Sequence, residues 1–154
     1  MAKEEGRKVV ATNRKARHEY HILDTMEAGM VLRGPEVKSL RDGKVSFQDS
    51  FARVDGGEVW LYSLYIAPYE AATRENPDPT RTRKLLLRKA EIRKLLGGVE
   101  EKGLTLIPLE IYFRKGYARV SLALAQGRKL HDRRDKLQEK SAIREARQAV
   151  GRQP

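Results

Sequence analysis

The chain contains no cysteine. Disulfides and thiolate metal sites are thereby excluded, along with any scaffold that depends on them. Histidine is nearly as scarce, with three in 154 residues: His18, His21 and His131. His18 and His21 stand three apart in an alternating stretch and would face opposite ways, so no metal site is expected. P-loop, GxSxG and HExxH patterns are missing, and with them any sign of a cofactor or an activated nucleophile. No apolar run nears the ~18 residues of a spanning helix, and the opening MAKEEGRKVV lacks the apolar core of a signal peptide. The expectation is a cytoplasmic chain with no membrane partner.

What the chain has in abundance is positive charge. Thirty-two Lys and Arg stand against twenty-one Asp and Glu, a formal net charge of +11. Such a balance points to a polyanionic partner, usually nucleic acid. The charge is uneven. Residues 128 to 154 carry nine basic and four acidic side chains, and so nearly half the net charge in under a fifth of the length.

The pattern along the chain predicts one domain. Residues 1 to 16 are polar and basic and read as a flexible N-terminal segment. From His18 an extended apolar run continues to Leu32. GPEVKSLRDGK reads as a short helix, with Pro35 suited to its start and Gly43 to its end. Val37 and Leu40 would face inward, Lys38 and Arg41 outward. SFARV and EVWLYSLYIAPY read as two strands joined by Asp55-Gly56-Gly57, a hairpin signal. EAATRENPDPTRTR is a loop, marked by Pro77 and Pro79. KLLLRKAEIRKLLGGVEEKG is helical in its middle, with Gly97-Gly98 interrupting or ending it. TLIPLEIYF and YARVSLALA form a second hairpin across Lys115-Gly116. Its inner face is Ile107, Leu109, Ile111 and Phe113, then Ala118, Val120, Leu122 and Leu124, with Arg119 and Ser121 outward. The class is therefore mainly β: a small antiparallel OB-like β-barrel over residues 17 to 127 with two or three flanking helices. Residues 128 to 154 form a basic C-terminal tail. Ile143, Ala146 and Val150 could line a thin helix face there, but in isolation the segment should hold no stable helix.

His131 and Asp132 could suggest catalysis, but sequence neighbours do not face each other on a helix, and the tail cannot build a pocket alone. Scattered Glu and His leave a nuclease as an alternative. The basic sets carry more weight. In an extended segment Arg81 and Arg83 would point the same way, with Lys84 beside them, presenting forked donors to phosphate. A solvated basic loop would look the same. Three further sets, in NRKAR, at Lys38 and Arg41, and at Arg114, Lys115 and Arg119, favour folded RNA over a single DNA groove. The tail is either padding or a segment that folds on a polyanionic partner.

Several strings are specific. NRKARHEY, GPEVKSLRDGK, DPTRTRKLLL, GLTLIPLEIYF and AQGRKLHDRRDKLQEK, in order from Asn13 into the tail, resemble the SsrA-binding (small protein B) family. The resemblance implies an OB-like barrel that binds the tRNA-like part of transfer-messenger RNA in trans-translation, the rescue of stalled bacterial ribosomes. The barrel would stand in for a missing anticodon arm, and the protein would be a monomer and no enzyme. The family's RNA-facing positions match Asn13, Arg17, His18, Glu27, Arg81, Arg83, Lys84, Leu86 and Arg119. A carboxylate cannot attract phosphate, so Glu27 would accept from base amino groups or orient a basic neighbour. In the tail the match covers Lys129 and Asp132-Arg133-Arg134. The family implies that this tail enters the empty message channel past the decoding centre and becomes helical there, with His131 able to stack on a ribosomal RNA base. The family's apolar pair near the end appears only as Ala149-Val150. A structural ribosomal protein or a general RNA chaperone is the alternative reading.

Overall fold

In the computed structural model the described residues, 6–72 and 76–127, form nine strands and three helices. They are β1 (Arg7–Thr12), α1 (Arg14–Glu19), β2 (Tyr20–Met30), α2 (Gly34–Arg41), β3 (Val45–Ser46), β4 (Phe51–Asp55), β5 (Glu58–Tyr62), β6 (Tyr65–Ile66), β7 (Arg83–Leu86), α3 (Lys89–Lys102), β8 (Thr105–Arg114) and β9 (Tyr117–Gly127). All pairings are antiparallel, in the order β8-β4-β5-β7-β2-β9, and β9 returns to pair with β8. That return closes the barrel. β1 lies outside the ring along the end of β8, from Arg7 opposite Arg114 to Thr12 opposite Glu110. β3 and β6 form a separate two-stranded ladder.

The turns explain the hairpins. Gly56 and Gly57, at φ 63° and 77°, join β4 to β5, and Lys115 and Gly116, at 52° and 82°, join β8 to β9. Two successive left-handed residues match the natural twist of paired strands. The barrel interior is filled from every side, by Ala28, Ala52, Val59, Leu61, Leu85, Leu106, Ile111, Val120 and Leu122 among others, with Leu40 of α2 and Leu95 of α3 packed on it.

β8 departs from the single inner face expected for it. Its register slips between Pro108 and Glu110. A bulge flips the alternation. Leu106 on one side of it and Ile111 and Phe113 on the other point into the barrel, while Ile107 and Leu109 turn outward. These two meet Ala16, Ala123 and Ala125 in a second, smaller apolar cluster beneath α1. The small alanines let the helix approach closely.

Other expectations also need correction. The segment before residue 17 is not structureless throughout: Arg7–Thr12 pair with β8, and Arg14–Glu19 coil into α1. His18 therefore lies in α1 and only His21 in a strand. EVWLYSLYI is two strands, broken at Ser63, whose φ is 64°. Arg83–Leu86 is a strand, and the helix expected in the middle of KLLLRKAEIRKLLGGVEEKG runs from Lys89 to Lys102.

α3 runs through Gly97-Gly98 and stops at Gly103, whose φ is 66° and whose N–H donates to Val99 O while Leu104 N–H donates to Gly98 O. That paired capping is the usual left-handed helix stop. Gly98 has a different task. A Cβ there would lie 2.9 Å from Leu124 Cδ2 and 3.1 Å from Leu124 Cδ1, whereas a Cβ on Gly97 would meet nothing within 4 Å. The helix sits on the barrel through the missing side chain. Gly97→Ala should therefore raise unfolding stability by about 0.5–1 kcal/mol, the helix-propensity gain. Gly98→Ala should lower it, and thermal or urea denaturation of the two variants separates these outcomes.

Candidate nucleic-acid interface

One outer face of the barrel collects most of the chemistry. The register lays a row across five strands. Leu86 (β7) pairs with Gly29 (β2), Gly29 with Arg119 (β9), Arg119 with Tyr112 (β8) and Tyr112 with Val9 (β1). Their neighbours Ala28, Met30, Leu85 and Val120 point into the core, so strand alternation turns this row outward. The next row holds Glu27, opposite Ser121, which is itself opposite Glu110.

Glu27 organises the cations around it. Its Oε1 accepts from Arg114 Nη1 at 2.8 Å, and its Oε2 lies 3.5 Å from Arg119 Nε. Arg7 stacks its guanidinium 4.0 Å above the Tyr112 ring and ion-pairs with Glu110. Burial, then the charge of Glu27 and a hydrogen bond to it, raise the Tyr112 phenol above its usual value, so it stays neutral. Leu86, Val9 and Tyr117 leave 53%, 45% and 67% of their surface exposed around these arginines. Flat guanidiniums beside open apolar side chains are what stacked bases and phosphates require.

The basic loop does something other than expected. Arg81 grips Glu36 with two bonds, Nε to Oε2 at 2.8 Å and Nη2 to Oε1 at 2.7 Å. Arg83 donates Nε to the same Oε2 at 2.8 Å, Nη1 to Leu64 O at 2.6 Å and Nη2 to Pro79 O at 3.0 Å. Arg83 is fully buried, at 0% exposure, and spends its fork inside the fold, so it presents nothing to phosphate here. Arg81 precedes β7, so strand alternation does not align the pair outward; both arginines converge on one carboxylate instead. Burial pushes the Glu36 carboxyl up, but hydrogen bonds from Arg81 and the Arg33 N–H and the charge of Arg83 outweigh it and hold it below the usual range. Burial lowers the Arg83 pKa, and Glu36 opposes that shift.

The remaining candidates are spread around the barrel. Lys84 reaches outward and pairs with Glu58 at 3.2 Å. Asn13 also serves the fold: its Oδ1 accepts from Ala16 N–H at 3.2 Å and caps α1, and its Nδ2 donates to Pro108 O at 2.8 Å. Arg17 and His18 stand exposed on α1. Lys38 lies 5.6 Å from the Tyr69 ring centre, and Arg41 lies 4.3 Å from that of Phe113 and 3.5 Å from Gly116 O. Arg41 thus joins Arg114, Lys115 and Arg119 near the β8–β9 turn. Lys129, His131, Asp132, Arg133, Arg134, Ile143 and Val150 lie outside the described residues. Among the described residues no group of three or more His, Asp or Glu could hold a metal ion, and no helix is long and apolar enough to cross a membrane.

Sequence reasoning overlooked Glu36, Gly29 and Tyr112. Glu36 stands in the first turn of α2, and nothing local in the sequence marks it as the partner of two arginines. Gly29 did carry a signal, since a glycine inside a strand often marks a close approach.

A closed antiparallel barrel with a basic, partly apolar outer face belongs to the small β-barrels suited to nucleic acid. Comparison narrows the class. The sequence profile described as SmpB protein matches residues 10–152. The SsrA-binding protein of Pelotomaculum thermopropionicum is 57% identical over 143 residues, 93% of this chain and 94% of that one. The SsrA-binding protein of Saccharopolyspora erythraea is 56% identical over 152 residues, 99% of this chain and 96% of that one. A solved chain from the work "tmRNA-SmpB: a journey to the center of the bacterial ribosome" is 62% identical, with a TM-score of 0.65, covering 76% of this chain and 82% of its own. The chain belongs to the SmpB protein family.

Two outcomes test the buried ion cluster. Arg83→Ala should cost about 3–5 kcal/mol of stability by leaving Glu36 short of a partner, whereas Lys84→Ala, with its open ion pair, should change it by less than about 1 kcal/mol; urea denaturation measures both. A depressed carboxyl contributes stability that is present above its unfolded value and lost as pH falls through its folded value. Wild-type melting temperature should therefore fall as pH drops below the ordinary glutamate value of 4.5. Glu36→Gln, already less stable at neutral pH, should lose less over the same window.

Proposed function

We propose that this protein is a non-enzymatic adaptor that binds transfer-messenger RNA and brings it to stalled bacterial ribosomes for trans-translation. The observation that carries this reading is near-full-length identity above 50% to SsrA-binding proteins. A tmRNA-SmpB chain from work on the bacterial ribosome supports it.

On this reading the barrel supplies the RNA contact. Arg119, Arg114 and Leu86 meet the tRNA-like part of the RNA, with Lys84, Lys38 and Arg41 extending the basic surface. Arg17 and His18 contribute from α1. Glu27 acts by orienting Arg114 and Arg119, because both its oxygens face those arginines. Arg83 and Asn13 support the surface from within. The barrel takes the place of the missing anticodon arm. The basic tail from residue 128, with His131 and Asp132-Arg133-Arg134 first, enters the message channel only when no message fills it, and this couples vacancy to acceptance. Ribosomal RNA of the small subunit is the tail's partner.

Truncation after Gly127 should leave RNA binding intact and abolish tagging on stalled ribosomes. Equal loss of RNA binding would defeat the division of labour. Competition at ~0.2 M salt, where phosphate-only contacts are weak, should show preference for the tRNA-like RNA over bulk tRNA. Equal affinity would instead indicate a general RNA chaperone, and cleavage of the RNA with divalent ions present would indicate a nuclease.

A further inference from the structure

Gly29 is the penultimate residue of β2, paired with a neighbouring strand on each side, where glycine weakens a strand and needs a reason. The backbone does not supply one, for Gly29 is absent from the positive-φ glycines of this fold. The reason lies to its sides. A Cβ on Gly29 would stand 3.0 Å from Arg119 Nη1, 3.5 Å from Leu86 Cβ and 3.7 Å from Leu86 Cδ1. Arg119 Nη1 therefore rests over the glycine, in the space that a side chain there would fill, and the same side chain would touch Leu86 of β7. Arg119 Nε is held 3.5 Å from Glu27 Oε2.

We infer that Gly29 is a positioning residue of the RNA face: it lets Arg119 fold flat across β2, so that guanidinium, glycine backbone and Leu86 make one shallow floor for an unpaired nucleobase. The floor has the parts such a ligand needs. Leu86 is an open apolar wall, 53% exposed. The guanidinium is a flat cation that stacks on a ring and can reach a flanking phosphate. A side chain at position 29 enters the space where Arg119 Nη1 rests and displaces it, slightly for alanine and further for valine. The inference builds on the reading of this face as the RNA interface.

The test is a double-mutant cycle on the full-length protein. Gly29→Ala and Gly29→Val are each made with Arg119 present and with Arg119→Ala, and binding to the tRNA-like RNA domain is measured at one salt concentration. Both Gly29 variants should keep or raise the melting temperature, because alanine and valine lower the entropic cost of a strand position that glycine raises. Affinity should fall with Arg119 present, more for valine than alanine and by about tenfold for valine, the size of one charge-assisted contact. With Arg119→Ala the Gly29 changes should cost nothing further. The Arg119 Nε–Hε NMR resonance should shift in Gly29→Ala without RNA. Unchanged affinity and an unmoved resonance in Gly29→Ala overturn the inference, as do losses that persist when Arg119 is gone. If valine prevents folding, the alanine variant decides, since its contact asks Arg119 to yield only slightly. If Arg119→Ala alone binds RNA as wild type does, the inference falls together with the reading of this face; if it weakens binding while Gly29→Ala does not, only the inference falls.

Discussion

The buried guanidinium of Arg83 is the constraint around which one side of the barrel is assembled. Its three donors reach a helix carboxylate, the carbonyl of Leu64 and the carbonyl of Pro79. Those partners come from α2, from the segment between β5 and β6, and from the loop before β7. None of these segments is adjacent to another in the chain. A fully desolvated arginine cannot be left short of acceptors, so its burial obliges all three to arrive together. Residues 76–82 before β7, which have little apolar content to fold them, are held by this polar knot.

The same chemical unit, one glutamate between two arginines, appears at two depths. Glu36 binds Arg81 and Arg83 beneath the surface, where the fully buried Arg83 spends its donors inside the fold. Glu27 sits 2.8 Å from Arg114 and 3.5 Å from Arg119 at the surface, where the guanidiniums keep open faces. Depth decides the role. Below the surface the unit orders chain segments; on the surface it fixes the posture of cations that still have spare donors. The carboxylate also limits the mutual repulsion of arginines crowded on one face.

Much of the architecture was legible because it rests on local rules. Asp55-Gly56-Gly57 announces its hairpin, Pro35 and Gly43 bracket α2, and the alternation of β9 puts Arg119 outside. What escaped was set by distant partners. A bulge after Pro108 reverses the faces of β8, and no local pattern announces it; only the second cluster under α1 gives Ile107 and Leu109 a place to go. Gly97-Gly98 reads as a helix stop, yet the helix continues because Gly98 is wanted for its closeness to Leu124. Arg83 reads as a surface cation, since an arginine is buried only when its acceptors are supplied from elsewhere, here from residues 19 and 47 positions away. Local alternation was sufficient to turn Arg119 outward and misleading for the direction of Arg83.

β1 has a bearing on solubility. The far half of β8 would otherwise present a row of unpaired backbone groups, an invitation to the strands of neighbouring molecules. Six residues from the N-terminal region cover that edge, and β1 in turn makes a poor template: it is short, carries Arg7 and Lys8, and slips register between Val9 and Ala11. A segment that looks dispensable in the sequence thus serves as the barrel's guard against self-association.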